Sequence, residues 1–216
     1  MVANTPVPEI VSLKHQDCPS GIGTCLAGTM PRVIWTLGNR SPLSISSVAL
    51  FCSEKCPGNQ IVKTYDFARQ LRDNNIPVIS GFHSSMEKEC LDLLLRGTQP
   101  VVICPARSIE GMRIRATHRE PLAAGRLLFV SPFPRSQRRP TKELAAYRNR
   151  FVAALAAKIF VVYAEPGGMT EALCKEVVGW GKPLFTFGDP GNENIIALGG
   201  IPIEPENAVE RMNQSK

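Results

Sequence analysis

From Tyr147 to Phe187 the sequence reads as helix, short buried strand, glycine turn, helix and buried strand, and this alternation constrains the fold more than any other stretch. Phe160-Val161-Val162-Tyr163 is a β-branched and aromatic run, too short for a helix and suited to a strand covered on both faces. Glu165-Pro166-Gly167-Gly168 cannot continue that strand. Met169 to Gly179 is predicted to be helical, and Gly181-Lys182-Pro183 closes the helix before the next strand, 183–187. A glycine turn between a parallel strand and a helix leaves backbone N–H groups free for an anion. Ligands of open α/β sheets also sit at the carboxyl ends of strands. The candidate functional site is therefore expected at this turn.

The preceding helix sharpens that expectation. With Thr141 as its cap, Leu144, Phe151, Val152 and Leu155 form an apolar stripe, and Arg148 falls in the middle of it. Asn149 and Arg150 are expected to turn away. An arginine on a core-facing stripe must find an anion or a carbonyl, or open into a cleft. Two readings stay open here: a structural pair with Glu165 or Glu171, or a contact to a ligand phosphate at the glycine turn.

Upstream, the same alternation repeats. Val33 to Leu37 is predicted as an edge strand and Val48 to Cys52 as the first buried one, leading into Ser53-Glu54-Lys55-Cys56-Pro57-Gly58. That turn sits where a phosphate loop would, but neither GxGxxG nor GxxxxGK is present. A helix is expected from about Gln60 to Asn74, and Pro77 to Ser80 is the second buried strand, turning at Gly81-Phe82-His83. Ser84 and Glu87 have capping-box spacing for a helix ending at Gly97. Strands at 100–104 and 126–130 follow, separated by an arginine-studded connection at 105–125. The first 31 or 32 residues carry Pro6, Pro8, Pro19 and several glycines, and are expected to be an irregular arm ahead of one domain, 33–216. The fold class is thus α/β, Rossmann-like, with a mainly parallel sheet flanked by helices on both faces. Ser53, Ser80-Gly81 and Gly167-Gly168 would converge on one sheet edge.

Charge adds a second theme. The net charge of +6 is uneven: Arg107, Arg113, Arg115, Arg119, Arg126, Arg135, Arg138, Arg139, Lys142, Arg148 and Arg150 stand against only Glu110, Glu120 and Glu143 over 107–150. Arginine forks onto phosphate, so the run is read as the footprint of a polyanion binder. The seven cysteines are scattered, which suits packed thiols rather than a disulfide framework. Cys52-x3-Cys56 and Cys18-x6-Cys25 lack the histidine or further pair that would complete a metal set, so neither metal nor cofactor is expected. No membrane span or signal pattern is visible, and a cytoplasmic protein is expected.

With these residues placed, residues 33 to 203 resemble the DNA-processing protein A (DprA, or Smf) family. Ser80-Gly81 matches that family's Ser-Gly element, Arg148-Asn149-Arg150 its Arg-Asn-Arg triplet, and Gly167-Gly168-Met169-Thr170 stands at its Ser-Gly turn. Asn194 to Gly200 is similar to its Asn-x-Leu-Ile-x-x-Gly-Ala ending. Cys52-Ser53-Glu54 departs from Gly-Ser-Arg by losing the arginine, and His83-Ser84-Ser85-Met86-Glu87-Lys88-Glu89 replaces the Gly-x-Asp…Ala-His segment. The resemblance implies a non-enzymatic protein binding single-stranded DNA in uptake (competence) or recombination, a homodimer, and a recombinase partner. It implies phosphate contacts from Ser53, Ser80, Gly81, His83, Ser84, Arg148, Asn149, Arg150, Gly167, Gly168 and Thr170, with Arg113, Arg115, Arg135, Arg138 and Arg139 as a basic patch. Pro166 to Glu171 also resembles the glycine turn of LOG (lysine-decarboxylase-like) phosphoribohydrolases. That alternative implies a nucleotide ligand, with Glu171 as acid or base and Arg148 as its phosphate contact.

Overall fold

The structure is a computed structural model, describing residues 9–12 and 22–214. In chain order the strands are β1 (Glu9–Ser12), β2 (Val33–Gly38), β3 (Val48–Phe51), β4 (Val78–Ser80), β5 (Val101–Ile103), β6 (Leu127–Ser131), β7 (Lys158–Val161), β8 (Leu184–Phe187) and β9 (Ile201–Ile203). The helices are α1 (Ile22–Cys25), α2 (Gly58–Asp73), α3 (Ser85–Leu94), α4 (Ala116–Ala123), α5 (Lys142–Leu155), α6 (Met169–Gly179), α7 (Glu193–Ala197) and α8 (Ala208–Gln214). Among the described residues the strands form one sheet in the order β1-β2-β6-β5-β4-β3-β7-β8-β9. Pairs from β6 to β9 are parallel, whereas β2 runs antiparallel to both β1 and β6.

The chain therefore builds outward from β3 through β4, β5 and β6, then returns to lay β7, β8 and β9 on the other side. Strand order reverses between β3 and β7, which makes their carboxyl ends the topological switch point. Alternate residues of each strand feed two cores, as a sheet covered on both faces requires. Leu50, Ile103, Phe160 and Val162 pack with residues of α2, α3, α4 and α8. Phe51, Val102, Cys104 and Val161 pack with α1, α5, α6 and α7. In the first core Phe67 stacks on Phe160 at 4.0 Å between ring centroids, and Phe160 meets Phe187 edge-on at 4.9 Å.

Local signals placed most elements well, and the departures have physical reasons. The strand at 33–38 is not an edge: β1 pairs with it from Glu9↔Thr36 to Ser12↔Val33. A four-residue strand beside Pro8 shows no alternation, and its partner lies far along the chain. The expected irregular arm thus contributes β1 and α1, while residues 1–8 and 13–21, with Pro6, Pro8, Pro19 and Cys18, lie outside the described residues. The connection 105–125 contains α4, which escapes the sequence because it has Pro121 inside, only His118, Pro121 and Leu122 buried, and Arg115 at its start without a side-chain cap. Helix α3 stops at Leu94 rather than Gly97.

Candidate functional site

The switch-point crevice is closed by hydroxyl and amide contacts that begin two residues past β3. Ser53 donates its backbone N–H to Tyr163 O at 2.9 Å and its hydroxyl to Thr170 Oγ1 at 3.1 Å, and it accepts the Glu165 N–H at 3.0 Å. One serine therefore ties the end of β3 to both sides of the glycine turn before α6. Gly167 has φ +74°, the left-handed conformation that glycine adopts without strain. Its N–H donates to the Glu171 carboxylate, and the Gly168 N–H donates to Glu165 O at 2.9 Å. Both of these amides are thus satisfied inside the protein. The Gly167 N–H, followed by the Lys175 ion pair at 3.0 Å, holds the Glu171 carboxyl below the usual carboxylate range. An ionised, paired carboxylate is a poor proton donor at neutral pH.

Arg148 lies on the inner face of α5, but its partners are at the ends of β4 and β5. It is 4% exposed, donates from Nη1 to Cys104 O at 3.1 Å and from Nε to Asn149 Oδ1 at 2.7 Å. A Cβ on Gly81 would fall 1.4 Å from Arg148 Nη1 and 2.0 Å from its Cζ. The guanidinium therefore lies across the backbone of residue 81, and only glycine leaves room for it. These hydrogen bonds go to Cys104 and Asn149 rather than to Glu165 or Glu171, so the structural pair expected from the sequence is not the one formed. Asn149 does not turn away; it braces the arginine. Arg150 donates to Glu176 at 2.6 Å as a half-buried ion pair.

Ser80 is fully buried, donating its hydroxyl to Leu50 O at 2.6 Å and accepting the Phe82 N–H at 3.3 Å. Phe82, also buried, has φ +47°, a conformation that costs a non-glycine residue about 1–3 kcal/mol. The strained turn is held by Glu87, which sequence reasoning had placed only in a capping box with Ser84. That box is present, and the carboxylate additionally accepts N–H groups from Cys52 at 3.0 Å and His83 at 2.7 Å. Burial pushes the Glu87 carboxyl up, while the nearby Arg148 guanidinium and the three amide donors oppose the rise. Glu87 and Arg148 thus come from opposite helical layers and meet around the end of β4. His83 leaves this turn exposed, whereas Ser84 is buried as the cap.

The basic loops share this edge because β5 and β6 are parallel to β3 and β4. Ser108 N–H donates to Gln137 O at 2.8 Å, and Ser131 Oγ donates to Arg107 O at 2.9 Å, which fastens the loop after β5 to the loop after β6. Arg113, Arg115, Arg135, Arg138 and Arg139 are all exposed, and Arg135 pairs with Glu110 at 3.8 Å. On the other flank, Asp189 accepts from Asn59 Nδ2 at 2.9 Å and from Gly191 N–H at 3.0 Å, while Asn192 Nδ2 reaches Val162 O at 2.9 Å. This puts a protein carboxylate beside the first turn of α2, where a dinucleotide pyrophosphate sits in Rossmann folds. Nothing local in the sequence marks that network, whose Asn59–Asp189 contact joins residues 130 apart. Among the described residues no group of three or more His, Cys, Asp or Glu could hold a metal, and no helix is long and apolar enough to cross a membrane.

Fold and site together define a Rossmann-like α/β protein whose strand-end crevice is lined by hydroxyls, a buried arginine, a buried carboxylate and basic loops. Residues 9–189 match the model of the DNA recombination-mediator protein A family, and the chain belongs to that family. Its fold is similar to DNA processing protein A from Helicobacter pylori, a structure described for its single-stranded DNA binding mode (17% identity, TM-score 0.77, 95% of this chain and 96% of that one). It is also similar to DprA from Streptococcus pneumoniae (15% identity, TM-score 0.76, 94% and 74%). The molybdenum cofactor carrier protein of Chlamydomonas reinhardtii shares the fold more distantly (14% identity, TM-score 0.56, 79% and 98%). Among curated proteins none matches the sequence.

Proposed function

We propose that this chain binds single-stranded DNA along the carboxyl edge of its sheet and acts in DNA uptake or recombination. The observation that carries the reading is the fastening of the two arginine loops, 105–115 and 131–140, onto the edge that also holds Ser53, Gly81 and His83. Family membership and the DNA-binding mode described for the Helicobacter pylori relative support it. The exposed groups Arg113, Arg115, Arg135, Arg138, Arg139 and His83 are assigned to phosphate contact. Arg148, Asn149, Ser80, Ser84 and Glu87 are assigned to shaping the floor beneath them, since Ser80, Ser84 and Glu87 are bonded to backbone groups and Arg148 donates through Nη1 and Nε to Cys104 O and Asn149. The carboxylate of Asp189 beside α2 favours a strand laid over the basic loops rather than a dinucleotide held at that helix.

With aromatic residues only 6% of the chain, base stacking has few platforms and phosphate contacts dominate. Affinity for an oligothymidylate, measured by anisotropy across a salt series, should fall steeply, with a slope of about 0.7 per phosphate contact in log K against log salt. No binding at low salt would refute the reading. A recombinase partner, a homodimer and a cytoplasmic setting belong to the same proposal. Sedimentation with and without oligonucleotide checks the dimer.

A further inference from the structure

We propose that Cys52 and Cys56 are a modification site, a dithiol that a hydroperoxide oxidises to a disulfide at the switch-point end of β3. Both are free thiols, the first buried just past β3 and the second half-buried just ahead of α2. The two thiols lie close enough to perturb each other's ionisation, Cys56 Sγ donates to Pro57 O at 3.7 Å, and Cys56 packs against the core that contains Cys52 and Cys90. The three residues between them belong to neither strand nor helix, so this segment can give as the sulfurs close to a bond of about 2.0 Å. The other described thiols are placed differently. Cys25, Cys104 and Cys174 lie in the opposite core, where burial pushes Cys104 and Cys174 up to about 12, and Cys90 is buried beneath α3. The contact with Cys52 holds the Cys56 thiol below its ordinary value, while that contact and burial push Cys52 up. The nucleophilic thiolate therefore forms at the more accessible Cys56, and Cys52 reacts only as it gives up its proton in the second step.

The chemistry balances with hydrogen peroxide as oxidant. The Cys56 thiolate attacks one peroxide oxygen, the O–O bond breaks, and the departing hydroxide takes a proton to leave as water, giving a sulfenic acid. The Cys52 sulfur, losing its proton, then attacks the Cys56 sulfur and expels the second oxygen as water. Two thiols and one peroxide become one disulfide and two waters.

Ser53 lies inside the closed loop, and its bonds to Thr170 and Glu165 hold the crevice in its present shape. Oxidation is therefore assigned an effect on the crevice, a part that rests on the DNA-binding reading; the disulfide itself does not. The test treats the full-length reduced protein with hydrogen peroxide and blocks remaining thiols. Trypsin cuts after Lys55, so the bond would join peptides 41–55 and 56–63, which mass spectrometry reads directly without reduction. The expected result is that linked pair, absent from Cys56→Ser and from protein re-reduced with dithiothreitol. The proposal is overturned if both cysteines remain separately blocked, if Cys56 goes on to sulfinic acid with Cys52 free, or if the link joins Cys56 to Cys90 in peptide 89–96. Oligothymidylate affinity is read on the same samples, and a reversible weakening of about tenfold (1.4 kcal/mol) is expected. A disulfide that leaves affinity unchanged overturns the regulatory part. Reduced protein that binds no oligonucleotide overturns the DNA-binding reading and leaves the disulfide standing.

Discussion

Replacing Gly81 by alanine adds one methyl group, yet it should be among the most damaging small changes in the chain. Residue 81 does not have a left-handed φ, so alanine meets no backbone penalty there. The whole effect must come from the collision with Arg148, whose Nη1 and Cζ would lie 1.4 and 2.0 Å from the new carbon. The end of a long side chain often moves at little cost, but this one is 4% exposed and held by Cys104 O and Asn149 Oδ1. Displacing it breaks two hydrogen bonds from a charged donor and removes the cation beside a buried Glu87, a combination on the order of 3–5 kcal/mol. For a chain of this size that corresponds to a melting temperature lower by roughly 10 °C. The mechanism is isolated by a double-mutant cycle in urea. In an Arg148→Ala background the added methyl has nothing to strike, so Gly81→Ala should then cost less than about 1 kcal/mol. Equal costs in both backgrounds would refute the steric account of the Ser80-Gly81 element.

Arg138→Ala with Arg139→Ala should weaken oligothymidylate binding and lower the salt slope by about 1.4, since two phosphate contacts are lost; an unchanged slope would remove these residues from the interface. Burial first, and then the Arg115 charge, hold His118 below its ordinary value, with Asp92 opposing. The unfolded chain then takes up the proton more readily, so stability is present above about pH 6.5 and is lost as pH falls through the depressed folded value. His118→Phe, packing on Phe129 in its place, should flatten the pH dependence of the urea midpoint between pH 5 and about 7. Lys182 donates to the carbonyls of Ala153, Ala154 and Ala156 at the end of α5. Lys182→Met should cost about 2 kcal/mol and raise amide exchange in the last turn of that helix.

What could be read from the sequence was what neighbours in the chain decide. The Thr141 cap and the Ser84–Glu87 box are contacts over three residues, and both are present. The apolar runs at 48–52 and 160–163 suffice to place parallel strands because burial on both faces leaves a continuous apolar pattern, although the second strand spans Lys158–Val161 and so starts two residues earlier. The stripe on α5 correctly put Arg148 inside, but its partners at Gly81 and Cys104 are set by strand order, which no local pattern encodes. The same limit hid β1, whose only reason to be a strand is its pairing with β2, and the Gln60–Asp189–Asn192 network. The glycine turn at 167–168 was located correctly, whereas its chemistry depended on a rotamer of Glu171 that satisfies it from within.

The account rests on the claim that nucleic acid lies across the carboxyl edge of the sheet, over the two fastened arginine loops. Photo-crosslinking with an oligonucleotide carrying 5-iodouracil, mapped by mass spectrometry, tests this most directly. Crosslinks confined to residues 81–85, 105–115 and 131–140 are the predicted result. Crosslinks concentrated on the outer faces of α2 and α8, with these segments unlabelled, would contradict it.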